Sequence, residues 1–299
     1  MALETSLCGL RFRNPIILAS GVLGVTGAIL TRLVKEHGIG GITSKSIGPV
    51  PRAGYLNPSV IELEPGTCLN AVGLANPGID EFLTEIPEIE HEGVPLIVSI
   101  FGDTEDQYAD MARKVEQAGV DAVELNISCP HAKVSSIGAD PYLTASVVSK
   151  VKAAVKIPVI VKLNPNVTSI VDIGRAAESA GADALVAINT VRGMAIDIEI
   201  GKPLLANKSG GVSGKAIKPM AIKAVYDLYE SVRIPIIGCG GVLTGRDVIE
   251  FMLAGASAVQ VGTAFFKGLG IIDAMKRDMI DYMQRHAVQK LADIVGKAH

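Results

Sequence analysis

The sequence predicts an α/β protein, a (β/α)8 TIM barrel with long loops at the C-terminal face of the strands. Eight short apolar runs alternate with helical patterns along the 299 residues, and this order implies right-handed crossovers and a parallel sheet. Three helical patterns end at an Ala-Gly pair, at residues 118–119, 180–181 and 254–255, directly before an apolar run. Eight such units in about 300 residues suit a closed barrel better than an open sheet.

The predicted strands are apolar runs of the kind that a parallel sheet buries on both faces. Glycine follows three of the helical patterns because it suits the left-handed position just past a helix end. Pro158 and Pro235 open two of the strands, where proline is tolerated as the first residue. The predicted strands are 16–19, 41–45, 96–101, 122–128, 159–164, 184–190, 236–240 and 259–263, and the predicted helices include 105–118, 145–155, 170–180, 218–231 and 247–254.

The alternative architecture is a doubly wound sheet with a GxGxxG turn after its first strand. The nearest candidate, residues 21–27, reads G-V-L-G-V-T-G and lacks that spacing. No linker rich in serine, proline or charge divides the chain, so we expect one domain over residues 1–299.

Composition excludes several classes of function. The net charge is −3 with no basic block, so a nucleic-acid partner is not expected. The four cysteines are far apart with no CxxC pair, so no metal site or iron–sulfur cluster is expected in this chain. The most apolar stretch, residues 15–30, is shorter than a membrane span and is interrupted by glycines. Residues 1–14 lack the apolar segment of a signal peptide, so a cytoplasmic location is expected.

Three connections are unusually long, and each follows a predicted strand. They span residues 46–77, 129–141 and 191–214, after the second, fourth and sixth strands. Active sites of such barrels are built at the C-terminal ends of the strands, and long loops in a compact domain are usually functional. The sequence therefore places the candidate site among these loops.

Cys129 ends the fourth predicted strand and opens the second long loop. A thiol there would point into the mouth of the barrel and could exchange a proton with a substrate. The alternative is a small buried packing residue, which is the usual role of a free cysteine.

Several strand ends carry groups suited to an anionic ligand. Lys45 and Lys162 each end an apolar strand, where a lysine is costly unless it meets an anion, although both could instead extend to solvent. Gly240 and Gly241 follow the seventh strand, and Gly262-Thr263 ends the eighth, a combination that favours a phosphate. Amides suited to a planar ligand lie at or near the same rim, at Asn70, Asn126, Asn164 and Asn189.

Ordered sequence blocks resemble the dihydroorotate dehydrogenase family between about Leu7 and Phe266. A cysteine as the base resembles the class 1 enzymes of that family. The segments NAVGL and PNVT resemble the catalytic FMN subunit of the NAD-linked 1B type. The blocks are TSKS at 43–46, NAVGLANPG at 70–78, LNISCP at 125–130, VKLNPN at 161–166, RGMAID at 192–197 and GGVSGKAIKP at 210–219.

The resemblance implies an FMN-dependent oxidoreductase that converts (S)-dihydroorotate to orotate in pyrimidine (UMP) biosynthesis. It makes Cys129 the base for the C5 proton and makes Lys162 the cation that stabilises negative charge on the reduced flavin. The FMN-binding residues that it implies are Ser20, Lys45, Ser46, Ser99, Asn126, Lys162, Ile188, Gly214, Gly240, Gly241, Gly262 and Thr263. The substrate-binding residues that it implies are Lys45, Asn70, Ala71, Val72, Gly73, Leu74, Asn126, Asn189 and Thr190.

Two residues depart from the family pattern. His131 stands where asparagine is usual after Cys-Pro, and Ser99 stands where a flavin-contacting asparagine is common. A histidine could donate a hydrogen bond in a similar way or tune the thiol.

The resemblance also implies partners. Without a dinucleotide fingerprint or a cysteine cluster, electrons would reach NAD⁺ through a separate subunit carrying FAD and a [2Fe–2S] cluster. The expected assembly is a homodimer of barrels within a heterotetramer. The alternatives are a fumarate-linked class 1A enzyme, the pyrimidine-reducing domain of dihydropyrimidine dehydrogenase, and a redox-silent barrel isomerase that binds a sugar phosphate.

Overall fold

The computed structural model describes residues 2–23, 26–128 and 137–299. The strands, in chain order, are β1 (Thr5–Leu7), β2 (Leu10–Phe12), β3 (Ile16–Leu18), β4 (Gly41–Thr43), β5 (Val60–Glu64), β6 (Thr67–Asn70), β7 (Leu96–Ile100), β8 (Ala122–Asn126), β9 (Val159–Lys162), β10 (Ala184–Ala187), β11 (Val191–Gly193), β12 (Ile196–Asp197), β13 (Lys202–Pro203), β14 (Gly210–Gly214), β15 (Ile236–Cys239) and β16 (Ala256–Val261). The α-helices are α1 (Gly27–Lys35), α2 (Ile79–Glu85), α3 (Glu105–Gln117), α4 (Pro141–Ala154), α5 (Ile170–Ser179), α6 (Lys218–Ser231), α7 (Gly245–Leu253) and α8 (Ile271–Arg285).

Eight parallel strands close into a barrel. Their order around it is β3, β4, β7, β8, β9, β10, β15 and β16, and β16 pairs with β3 to close the ring. This confirms the predicted (β/α)8 barrel and excludes the doubly wound sheet. Several strands end earlier than the sequence predicts, and the last begins earlier, at Ala256 rather than Val259, because the chain already turns at Gly255 with φ +114°.

The helix ends follow the local sequence. Gly119 and Gly181 adopt φ of +80° and +96° just past α3 and α5, as the Ala-Gly pairs predict. Thr104, Asp140 and Ser169 accept hydrogen bonds from the first-turn amides of α3, α4 and α5. Among the described residues, no helix has the length and apolar character that crossing a bilayer requires.

The inside of the barrel changes from apolar to polar along the strands. At the N-terminal end, Leu7 and Phe12 of the β1–β2 hairpin pack with Ile97, Ala122 and other interior residues in one buried cluster. Side chains two residues apart on a strand point to the same face. The next side chains inside the barrel therefore lie two residues further along β7, β8, β9 and β16. They are Ser99, Glu124, Lys162 and Gln260, and all four are buried.

Two of the long connections contain strands that the sequence did not predict. Strands β5 and β6 lie in the connection after β4, and β11 and β14 lie in the connection after β10. They form an antiparallel sheet in the order β11-β14-β6-β5. Since both connections leave C-terminal strand ends, this sheet lies on the side where the candidate site is expected.

Candidate active site

A cavity of about 1190 Å³ opens at the C-terminal end of the barrel strands. Drug-sized ligand pockets are roughly 300–1,000 Å³, so this cavity has room for a large ligand or for two ligands side by side. Most of the predicted site residues line it: Ser20, Lys45, Ser46, Asn70, Ala71, Val72, Gly73, Leu74, Asn126, Lys162, Ile188, Asn189, Thr190, Gly214, Gly240, Gly241, Gly262 and Thr263. Cys129 and His131 lie outside the described residues. Ser99 does not line the cavity itself but contacts the lining residue Ser46 from inside the barrel.

Lys162 is the buried cation of the site. It ends β9, only 5% of it is exposed, and its side chain borders the cavity from below. Its Nζ donates to Gln260 Oε1 at 2.5 Å and contacts Cys239 Sγ at 3.6 Å. Lys162 therefore presents a positive charge at the floor of the cavity, and its ammonium group is held in place by side chains of β15 and β16.

Burial affects the titration of these groups differently. Burial by itself would lower the pKa of Lys162, but Cys239 and the Glu124 carboxylate more than offset it, so the pKa lies above its ordinary value. Burial also raises the pKa of the Cys239 thiol, an effect that the nearby Lys162 ammonium group opposes. The pKa of the half-buried Lys45 is lowered by burial.

Hydroxyl and amide groups continue the polar layer along one wall. Ser46 Oγ lies 3.0 Å from Ser20 Oγ and 2.9 Å from Ser99 Oγ, and it accepts from Asn126 Nδ2 at 3.0 Å. Asn189 Nδ2 in turn donates to Asn126 Oδ1 at 3.2 Å. Ser99 is fully buried and contacts the cavity-lining Ser46. At this position, where the family commonly has asparagine, the smaller serine side chain supports the wall from behind.

Glycines open the opposite wall. Gly214, Gly240 and Gly241 have φ of +83°, +125° and +76°, which L side chains rarely adopt. A Cβ at Gly241 would lie 2.6 Å from Lys218 Cβ and 2.8 Å from the Gly214 carbonyl oxygen. Bare backbone therefore faces the cavity here, and backbone N–H groups in such a turn suit a phosphate.

The rim carries amides and a curved loop. Asn70, at the end of β6, donates from Nδ2 to the carbonyl oxygen of Gly211 in β14 at 3.1 Å. The Asn189 side chain accepts from the Thr190 amide at 2.8 Å. Residues 71–74 bend away from β6, with Gly73 at φ +76° and Leu74 at φ +55°. These groups could bind a small ligand that bears amides and a carboxylate.

Glu124 and Gln260 belong to the site although their roles were not predicted from the sequence. Glu124 is completely buried, and it accepts from Ser99 Oγ at 2.9 Å and from Gln260 Nε2 at 2.5 Å. A polar residue inside a run predicted to be buried on both faces was the available signal, because such a residue is costly unless it is paired.

The arrangement can hold a phosphate-bearing ligand beside a small anionic one. Ser128 Oγ is buried, and it has no hydrogen-bond partner among the described residues, so it is available to a bound molecule or to the segment that follows it. Among those residues, no group of three or more His, Cys, Asp or Glu side chains is placed to hold a metal ion.

Comparison with known proteins gives full-length similarities. The sequence profile of the family described as Dihydroorotate dehydrogenase matches residues 2–283. A protein of Methanocaldococcus jannaschii named "Dihydroorotate dehydrogenase B (NAD(+)), catalytic subunit" is 51% identical over 99% of this chain and 98% of its own length. Proteins of the same name from Methanosarcina mazei and Pyrococcus horikoshii are 50% and 48% identical, over 98% and 99% of this chain and 94% and 97% of their own lengths.

Proposed function

The chain belongs to the dihydroorotate dehydrogenase family, and we propose that it is the catalytic subunit of an NAD⁺-linked enzyme that oxidises (S)-dihydroorotate to orotate in pyrimidine biosynthesis. The observation that carries the proposal is the convergence of a buried cation, Lys162, and a glycine-lined wall on one cavity. Residues 1–299 would form one FMN-binding barrel domain, and its cytoplasmic location stays a prediction.

The residues present fit FMN. The wall at Gly214, Gly240 and Gly241 presents backbone rather than side chains to the cavity, which suits a phosphate. Packing requires glycine at position 214, because a Cβ there would lie 2.0 Å from the Gly66 carbonyl oxygen. Lys162 would face the isoalloxazine ring from the floor of the cavity. The remaining FMN-binding residues that we propose are Ser20, Lys45, Ser46, Asn126, Ile188, Gly262 and Thr263, with Ser99 supporting Ser46.

Bound FMN would supply the hydride acceptor, and the protein would supply the base and the orientation. Cys129 would take the C5 proton of dihydroorotate as hydride leaves C6. Asn70, residues 71–74, Asn126 and residues 189–190 would orient the ring through its amide groups, and Lys45 would pair with the carboxylate. Lys162 would stabilise the negative charge of the reduced flavin.

The spectrum of the purified protein tests this function. We expect a yellow protein with flavin absorbance in the visible, which dihydroorotate bleaches under anaerobic conditions. The alternative barrel that binds a sugar phosphate would be colourless. A colourless protein that neither retains nor takes up FMN would refute the proposed function.

We propose a separate electron-transfer subunit carrying FAD and a [2Fe–2S] cluster. The word "subunit" in the names of the relatives supports a partner. The described cysteines Cys8, Cys68 and Cys239 are unpaired and separate, which supports placing the cluster outside this chain.

The isolated chain should pass electrons from dihydroorotate to an artificial dye but not to NAD⁺. The reason is that the sequence has no GxGxxG dinucleotide-binding turn, so the proposed NAD⁺ site lies on the partner subunit. Steady-state assays with each acceptor measure the difference. Efficient NAD⁺ reduction by the chain alone would contradict the partner proposal, and rapid turnover with fumarate would instead indicate the 1A class.

A homodimer of barrels within a heterotetramer is also proposed. The hairpin formed by β12 and β13 exposes Ile196, Ile198 and Ile200, and Ile198 is 87% exposed. Several exposed large apolar side chains on one hairpin are typical of a contact surface. This hairpin supports subunit association and lies outside the cavity lining.

Gly241→Ala should reduce FMN affinity at least tenfold, whereas Gly9→Ala should leave it unchanged. Both glycines have nearly the same φ, +76° and +77°, so the strain of about 1–2 kcal/mol that a side chain meets at positive φ is present in both variants. Only at Gly241 would the new methyl group meet protein atoms, while Gly9 has open space. Fluorescence titration of FMN into the flavin-free proteins measures both affinities. Equal affinity in the two variants would place the phosphate elsewhere.

A further inference from the structure

A buried carboxylate lies behind the cation at the floor of the cavity. Glu124 is completely buried on β8, and Lys162 is nearly so on β9. Gln260 of β16 lies between them, because its Oε1 accepts from Lys162 Nζ at 2.5 Å and its Nε2 donates to Glu124 at 2.5 Å. One amide therefore connects the two charges across the inside of the barrel.

Burying Glu124 and Lys162 in the barrel costs free energy, which indicates that the pair has a functional role. An ionised group without water around it is expensive, and a packed apolar residue in its place is often at least as stable. Both oxygens of Glu124 accept hydrogen bonds, one from Ser99 Oγ at 2.9 Å and the other from Gln260. The carboxylate is thus fully paired, and it is oriented towards the side of the barrel that holds Lys162.

The other groups around Lys162 that the structure describes do not supply a carboxylate. Cys239 contributes a thiol, 3.6 Å from Nζ, whose pKa is raised by burial. Thr43 contacts Gln260 at 3.3 Å and carries no charge. Lys45, the other lysine of the cavity, is a cation. Among the described neighbours of Lys162, Glu124 is therefore the carboxylate that can balance its charge from within the barrel.

We propose that Glu124, acting through Gln260, is a positioning residue that holds Lys162 at the cavity floor and sets how strongly its charge favours a reduced flavin. This inference rests on the proposed function, since it assumes that the ligand above Lys162 is FMN. Gln260 fixes where the ammonium group lies. The carboxylate weakens the positive field that reaches the cavity.

The sign of the effect follows from charge. Removing the carboxylate charge leaves the positive field of Lys162 unopposed, so reduced FMN, which is more negative than oxidised FMN, binds relatively more tightly. The midpoint potential of bound FMN should then become more positive. At the same time the pKa of Lys162 should fall, because a nearby anion no longer favours its charged form.

The Glu124→Gln variant tests the proposal, because it removes the charge of the side chain and keeps its shape. A glutamine can accept from Gln260 with its oxygen and donate to Ser99 Oγ with its nitrogen, so the hydrogen bonds can be remade. Glu124→Met, which removes the same charge and fills similar space, is the second variant should the first not accumulate as folded protein. Thr43→Val is the matched control, since it removes a hydrogen bond from the same layer and leaves the charges in place.

Two readouts separate the possible results. In the flavin-loaded proteins, the ratio of affinities for reduced and oxidised FMN should rise about tenfold in Glu124→Gln, a positive shift of about 30 mV for a two-electron couple. In the flavin-free proteins, the pH dependence of Lys162 acetylation, followed by mass spectrometry, should give a lower pKa than in the parent. Thr43→Val should match the parent in both measurements.

A merely structural role for Glu124 would weaken both flavin redox states equally and leave the midpoint potential unchanged. An unchanged potential with an unchanged Lys162 pKa would overturn the inference, and so would an equal shift in Thr43→Val. A lowered Lys162 pKa in a protein that does not bind FMN would support the link between Glu124 and Lys162 and refute the proposed function instead.

Discussion

Replacing Cys129 with serine should lower the rate of flavin reduction by dihydroorotate about 10²- to 10⁴-fold near pH 7, the usual contribution of a general base. A thiol with a reference pKa of about 8.5 supplies some thiolate at that pH, whereas a serine hydroxyl hardly ionises without a helper. FMN and orotate should still bind, because the residues proposed to hold them are untouched. Stopped-flow absorbance under anaerobic conditions measures the reduction rate.

The pH profile separates a base from a packing residue. In the parent protein the reduction rate should rise as the thiol loses its proton, and in Cys129→Ser that rise should be lost at neutral pH. Cys8→Ser is the matched control, since Cys8 lies at the other end of the barrel, where its Sγ donates to the Asp183 carbonyl oxygen at 3.2 Å. A serine variant at position 129 that reduced flavin at the parent rate would remove Cys129 from the base role.

Lys162→Ala should weaken FMN binding roughly 10- to 150-fold and slow flavin reduction as well. A contact with a charged group is worth about 1.5–3 kcal/mol, and the lost ammonium serves the flavin more than the substrate. The free energy of unfolding should also fall, because the buried Glu124 carboxylate loses the cation that balances it. FMN titration, stopped-flow reduction and chemical denaturation measure the three effects.

Lys162→Met is the informative companion variant. It keeps an unbranched side chain of similar length and removes the charge together with the contacts of Nζ to Gln260 and Cys239. If both variants lose flavin affinity alike, the charge is responsible rather than the space that alanine leaves. Full flavin content with a normal reduction rate in Lys162→Met would show that the ammonium group has no part in either step.

Much of the fold could be predicted because its signals are local. Each strand of the barrel is a short apolar run, and the glycines at 119, 181 and 255 mark helix ends by backbone conformation alone. Lys45, Lys162 and Gly240 could be assigned to one site because parallel strands in a barrel bring their C-terminal ends together. The flavin, the substrate and the role of Cys129 came from resemblance to a family, since spacing alone does not choose a reaction.

The sequence by itself therefore determined the barrel, the order of its units and the end of it that carries the site. Only the tertiary structure decided the pairing of β6 with β14, which joins two connections about 140 residues apart, as the hydrogen bond from Asn70 to Gly211 illustrates. It also decided that Glu124, Gln260 and Lys162, from three separate strands, form one buried chain. The physical reason is that these contacts join residues far apart in the sequence. Local periodicity predicts a strand or a helix, but it does not predict which distant residues lie opposite each other in a closed sheet.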